Sequence, residues 1–170
     1  AGLDGAICIS KATANTFDRW LNENGIFRSS NFQISWVHIG SDIEGSRPSR
    51  GLPVESNNLL KTLKKKPTLL CVATIEPRKK QQQILGAVEK LWETGAKINL
   101  VLVGLQGWNV EPLAEKIRHH PEQGKMLFWL EGISDEYLDE IYKVSTVLIA
   151  ASLNEGFGLP LIEAARNKLP

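Results

Sequence analysis

From Pro67 onward, short unbroken apolar runs alternate with helix-length stretches, and this alternation restricts the fold more than any other feature of the chain. Thr68 to Thr74, Ile98 to Val103, Met126 to Leu130 and Thr146 to Ala150 read as strands. Helices are expected from Lys79 to Glu93, Val110 to His119, Asp135 to Lys143 and from Leu159 onward. Strands that are apolar at every position are buried on both faces, as in a parallel sheet covered by helices on both sides. Right-handed crossovers then give an α/β, doubly wound parallel sheet of Rossmann-like type, with ligands at the carboxyl ends of its strands. The loops on that edge are Thr74–Lys79, Gly104–Asn109, Glu131–Asp135 and Ala151–Gly158.

The first third of the chain is less regular. Gly5 to Ile9 reads as a buried strand, Ser10 as the cap of a helix from Lys11 to Glu23 that Asn24-Gly25 ends, and Phe32 to Val37 as a second strand. Gly40 to Pro53 holds three Gly, two Pro and three Ser and is the best linker candidate. The opening Ala1-Gly2 and the stop at Lys168-Leu169-Pro170 both read as cut ends, so a fragment of a larger protein is expected.

Composition excludes some partners. The 170 residues, 42% hydrophobic, suffice for one full core and part of a second, and a formal charge of +1 gives no support to a nucleic-acid partner. Cys8 and Cys71 lie in apolar runs and are expected as buried thiols in a reducing compartment. No stretch has the length of a membrane span and no signal-peptide pattern opens the chain, so a cytoplasmic protein is expected.

The chemistry concentrates in two of the carboxyl-edge loops. Glu155-Gly156-Phe157-Gly158-Leu159-Pro160-Leu161-Ile162-Glu163 follows directly on a strand. Its glycines let backbone approach a ligand, and the helix that follows offers unpaired N–H groups and a positive dipole end to an anion. Carboxylates on either side of the turn would repel a phosphate and instead accept hydrogen bonds from ligand hydroxyls. An anion together with hydroxyls describes a sugar nucleotide. The other loop, Thr74-Ile75-Glu76-Pro77-Arg78-Lys79-Lys80, brings three adjacent cations to the start of a helix, where they oppose the macrodipole unless an anion sits among them. Arg78 and Lys79 suit a diphosphate; the bland alternative is a solvated surface turn.

Four elements in this order carry a family resemblance: Thr74 to Lys79, Val101-Leu102-Val103-Gly104, Gly132-Ile133-Ser134-Asp135-Glu136-Tyr137-Leu138, and the Glu155…Glu163 pair. They resemble the retaining glycosyltransferases of family 4, also called group 1, whose two Rossmann-like domains form the GT-B arrangement, and the Thr-Ile-Glu-Pro-Arg-Lys version looks like a mannosyltransferase subgroup. The resemblance implies that residues 1–45 are the end of an acceptor domain with its link and that 46–170 are most of a nucleotide-sugar-binding domain, truncated at its end.

By the same resemblance, Glu155 binds hydroxyls of the donor sugar. Gly156, Phe157, Gly158 and Leu159 offer backbone N–H groups, and Glu163 accepts from the ribose. Ile133 touches the base, Thr74 lines the donor site in place of a family Gly-Arg pair, and Arg78 and Lys79 neutralise the leaving diphosphate. Positioned cations can do this without a metal, and no Asp-X-Asp motif is present. The implied reaction transfers mannose from GDP-mannose, with no further cofactor, to a growing glycan or lipid-linked acceptor held by the missing domain. Alternatives are a UDP-sugar donor and a non-catalytic nucleotide-binding module. A dinucleotide oxidoreductase lacks its Gly-X-Gly-X-X-Gly turn after the first strand.

Other residues have quieter readings. His38 is assigned to a linker or packing role, His119 and His120 to a helix end, and Trp36, Trp92 and Trp129 to the core. Lys61 with Lys64-Lys65-Lys66 reads as a solvated cationic turn or a peripheral contact with anionic lipid.

Overall fold

A computed structural model describes residues 3–40 and 50–170. Within it the chain divides into two compact units, residues 1–42 with Glu155–Leu159, and residues 43–154 with 160–170.

In the first unit, β1 (Gly5–Cys8) and β2 (Gln33–Trp36) pair in parallel and are joined through α1 (Lys11–Glu23). Ser10 caps α1 as expected, its hydroxyl accepting from the Thr13 N–H at 3.1 Å, and Gly25, at φ +61°, turns the chain out of the helix. Trp36, expected in the core, is 43% exposed. It ends one of only two described strands here, and its ring packs against His38 with centroids 5.0 Å apart. Cys8 is half-buried for the same reason, while Cys71 is buried as expected.

The second unit contains α2 (Ser56–Leu63), β3 (Thr68–Val72), a 3₁₀ turn (Pro77–Lys79), α3 (Gln81–Glu93), β4 (Asn99–Val103), α4 (Glu111–Arg118), β5 (Leu127–Leu130), α5 (Asp135–Val144) and β6 (Val147–Leu148). The last helix, α6 (Leu159–Arg166), begins where the two units meet along the chain. All four strands are parallel, in the order β5-β4-β3-β6. The expected doubly wound sheet is present, with cores on both faces. Leu70, Val101, Val103 and Phe128 pack with residues of α2, α5 and α6. The opposite face, Cys71, Leu100, Leu102 and Leu127, packs with residues of α3 and α4. Burial on both faces is why these strands carry no polar alternation.

Several boundaries differ from expectation. The helix expected from Lys79 starts at Gln81, because Pro77 initiates a tighter turn and Lys80 takes a left-handed φ of +59°. Helix α2 was not expected: it is eight residues long, has no side-chain cap and places Asn57-Asn58 in its first turn. It forms because Leu60 and Leu63 are buried against the sheet. Strand β6 is short, but its flanks still bond to β3, Thr146 N–H to the Thr68 carbonyl at 2.8 Å and Ile149 N–H to the Leu70 carbonyl at 2.7 Å. Of the expected linker, residues 41–49 lie outside the described residues.

Candidate donor-nucleotide site

Strand order places the switch point of the second unit between β3 and β6, since the chain runs outward from β3 through β4 to β5 and then crosses back to β3's other side. Loops leaving adjacent strands at such a point diverge, and the crevice between their carboxyl ends receives ligands in folds of this type. Here those loops are 73–80 and 149–154.

The first loop is held from below. Ile75 is fully buried, its N–H donates to the Leu105 carbonyl at 2.9 Å, and its carbonyl accepts from Gly107 N–H at 3.0 Å. Gln81 is 1% exposed and clamps the same turn, its Nε2 donating to the Thr74 carbonyl at 2.9 Å and its Oε1 accepting from Glu76 N–H at 3.4 Å. Thr74 thus has a fixed backbone and an exposed side chain. Replacing Gln81 by Leu keeps the bulk and orphans both backbone groups, so stability is expected to fall by about 1–3 kcal/mol. A chemical-denaturation midpoint equal to wild type would show the clamp to be dispensable.

Arg78 joins the two loops. Its carbonyl accepts from Leu153 N–H at 2.9 Å, its Nη1 donates to the Asn154 carbonyl at 3.1 Å, and its Nε lies 2.9 Å from Glu76 Oε2. The guanidinium fork therefore fixes the crevice walls besides carrying charge. Lys79 follows on the same 3₁₀ turn and is half-buried.

From Asn154 the chain continues into Glu155–Leu159, which packs within the first unit. There Thr13 Oγ1 donates to the Gly156 carbonyl at 3.3 Å, the Phe157 ring lies 5.7 Å from that of His38, and a Cβ built on Gly156 would lie 2.6 Å from Ile9 Cδ1. Gly158 has φ +85°, a conformation that favours glycine. Glu155 is half-buried in this segment.

On α6, Glu163 Oε2 accepts from the Tyr142 hydroxyl at 2.7 Å. Tyr142 is 2% exposed. Burial pushes its phenol pKa up, and the Glu163 carboxylate pushes it further, so the donating form is favoured. In the loop after β5, Gly132 at φ +60° turns the chain so that Ile133 packs its side chain partly against the core, and Ser134 caps α5 as expected, accepting from Tyr137 N–H at 3.2 Å. Glu131 Oε1 accepts from Gln106 N–H at 3.1 Å, tying this loop to the one after β4.

Of the expected site residues, Thr74, Arg78, Lys79, Ile133 and Glu163 belong to the second unit, whereas Glu155, Gly156, Phe157, Gly158 and Leu159 belong to the first. Glu76, Gln81, Tyr142 and Asn154 were not singled out from sequence. For Gln81 a signal existed: it lies on the helix face of Ile84, Leu85 and Val88, where a polar residue is out of place.

The second unit is a doubly wound α/β domain with Arg78 and Lys79 on one of its two switch-point loops and Glu163 on the helix that follows the other. This chain belongs to the glycosyl transferases group 1 family, whose model matches residues 56–170. It is 48% identical over 169 residues to the serotype-specific mannosyltransferase WbdA of Escherichia coli, covering 98% of this chain and 21% of that protein. The chain thus spans about a fifth of that relative's length. The O-antigen chain mannosyltransferase B of E. coli is 32% identical over 102 residues, 59% of this chain and 26% of that protein. Among solved structures, sucrose-phosphate synthase from Thermosynechococcus elongatus superposes with a TM-score of 0.69 at 21% identity, covering 99% of this chain and 40% of that one. The pneumococcal O-GlcNAc transferase GtfA, solved with UDP and GlcNAc, gives 0.66 at 18% identity over 99% and 29%. These likenesses establish a glycosyltransferase fold of GT-B type.

Proposed function

We propose that this chain supplies the donor-nucleotide site of a retaining, metal-independent mannosyltransferase that takes mannose from GDP-mannose to a growing glycan or lipid-linked acceptor. The observation that carries the reading is the switch-point crevice, whose two loops Arg78 fastens together; the reading assigns a diphosphate to Lys79 and a ribose to Glu163. The mannosyl assignment is supported by the 48% identity to a serotype-specific mannosyltransferase.

In this reading Lys79 meets the charge that develops on the departing diphosphate, and Arg78 adds its own charge while keeping the loops in place. Preorganised cations at the leaving group lower the barrier because they need no rearrangement as the bond breaks. Glu163 accepts from the ribose, Ile133 borders the base through its backbone, and Glu155 with the N–H groups of Gly156 to Leu159 serves the sugar. Metal independence is supported by the two cations and tested by chelation. Among the described residues no helix is long and apolar enough to cross a membrane.

Calorimetric titration with GDP, UDP and GDP-mannose in EDTA is expected to show GDP-selective binding, at least tenfold weakened by Glu163→Ala and by Lys79→Ala. Preference for UDP would reassign the donor. Binding that survives both substitutions, or appears only when a divalent ion is restored, would overturn the site or its metal independence respectively.

A further inference from the structure

We propose that Tyr142 is a positioning residue for nucleotide recognition: by donating its hydroxyl to Glu163 Oε2 at 2.7 Å, it fixes the carboxylate so that Oε1 meets the ribose hydroxyls. The inference rests on the placement of ribose at Glu163 proposed above.

A glutamate on an exposed helix turn has three rotatable bonds, and a ligand must freeze all of them before the carboxylate can accept two hydroxyls in a defined geometry. Glu163 is relieved of that cost by a neighbour from another helix. Tyr142 sits near the end of α5, is 2% exposed and packs in the core cluster that includes Leu70, Ile141 and Ala164. Its ring is therefore rigid, and its hydroxyl is delivered to a fixed point. The Pro160 carbonyl lies farther from that hydroxyl, at 3.4 Å, so the short bond to Glu163 takes the proton.

The geometry also fixes which oxygen is engaged. A phenol O–H donating to a carboxylate makes a short, charge-assisted bond, and the oxygen it holds is the poorer acceptor for anything further. Oε1 keeps its full acceptor strength, with its direction set by the tyrosine. Glu163 and Tyr142 thus behave as one reading unit, oriented from the core instead of from solvent.

A buried tyrosine also needs a partner for its hydroxyl on structural grounds alone, so the test must separate orientation from packing. The full protein carrying Tyr142→Phe is titrated with GDP and with 2′,3′-dideoxy-GDP, alongside Glu163→Gln and a thermal melt of each variant. Phenylalanine keeps the ring in the core, and affinity for GDP is expected to fall about five- to tenfold, the scale of one ordinary hydrogen bond. Affinity for the dideoxy analogue, which lacks the hydroxyls being read, is expected to stay within twofold of wild type. A Tyr142→Phe variant that binds both nucleotides like wild type, or weakens both equally, overturns the positioning role. Should wild type itself bind GDP and the dideoxy analogue alike, or Glu163→Gln change neither, the ribose placement falls instead, whatever the tyrosine variant does.

Discussion

Gly104→Ala is expected to lose at least about 4 kcal/mol of stability, enough to unfold most domains at physiological temperature. A Cβ built on Gly104 would lie 2.1 Å from the Ala73 carbonyl oxygen, 2.5 Å from its carbon and 2.9 Å from the Thr74 nitrogen, and all three are backbone atoms that cannot move aside as a side-chain end can. The residue also adopts φ +148°, where an L side chain is strained even with space around it. Relief by local movement is blocked because Gly104 N–H donates to the Leu130 carbonyl at 3.0 Å and its own carbonyl accepts from Trp129 Nε1 at 2.8 Å. The obstruction falls where β3 and β4 hand over to their loops, so the 73–80 loop would be displaced with it. Gly86→Ala provides the contrast: it lies inside α3, and an added Cβ there meets nothing within 4 Å. Its stability should rise by about 0.5–1 kcal/mol from helix propensity. Thermal and denaturant unfolding of the two variants, side by side, gives the comparison. A Gly104→Ala protein melting within two or three degrees of wild type would mean that the close crossing of these strands is wrongly drawn.

What sequence could not show about Gly104 illustrates where legibility stops. The β3, β4 and β5 runs were readable because burial on both faces erases polar alternation, and the loops that matter followed from the parallel topology alone. The need for glycine at position 104 arises only when β3's backbone passes over it, a contact between chain segments about thirty residues apart with no local signature. The same holds at the site. Arg78 and Lys79 were legible as charged residues in a Pro-marked turn at the carboxyl edge of the sheet, and Glu163 as a carboxylate on the helix after a Gly-rich turn. Their supports were not: Tyr142 lies 21 positions from Glu163 and Asn154 lies 76 from Arg78, distances that no periodicity spans. Lys80 shows a third kind of limit. Propensity favours continuing a helix through three basic residues, yet the burial of Ile75 and Gln81 forces the loop to turn sharply, and Lys80 takes the left-handed conformation between them.

Replacing Arg78 should expose whether charge or geometry governs the crevice. If the guanidinium served only as a cation near the diphosphate, Arg78→Lys would keep most of the transfer rate. The structure gives it another task, because Nε faces Glu76 Oε2 at 2.9 Å while Nη1 reaches the Asn154 carbonyl at 3.1 Å. A planar fork can hold both oxygens at once, whereas an ammonium on a flexible stem satisfies one of them and places its charge differently. Loss of the fastener lets the 149–154 loop drift from the 73–80 loop, and a displacement of about 1 Å in a positioning element can cost on the order of 100-fold in rate. On the function proposed above, Arg78→Lys and Arg78→Ala are therefore both expected to lower turnover about 100-fold in the full protein, with melting temperatures close to wild type, because Arg78 is exposed and outside both cores. On the function proposed above, Lys79→Ala should match or exceed this loss, at about 10²–10³-fold in turnover, because the proposed role of its ammonium is to meet the charge developing on the departing diphosphate. Steady-state rates of the three variants separate the two roles. Turnover by Arg78→Lys within a few fold of wild type would return Arg78 to a simple charge and leave the coupling of the two loops without a catalytic consequence.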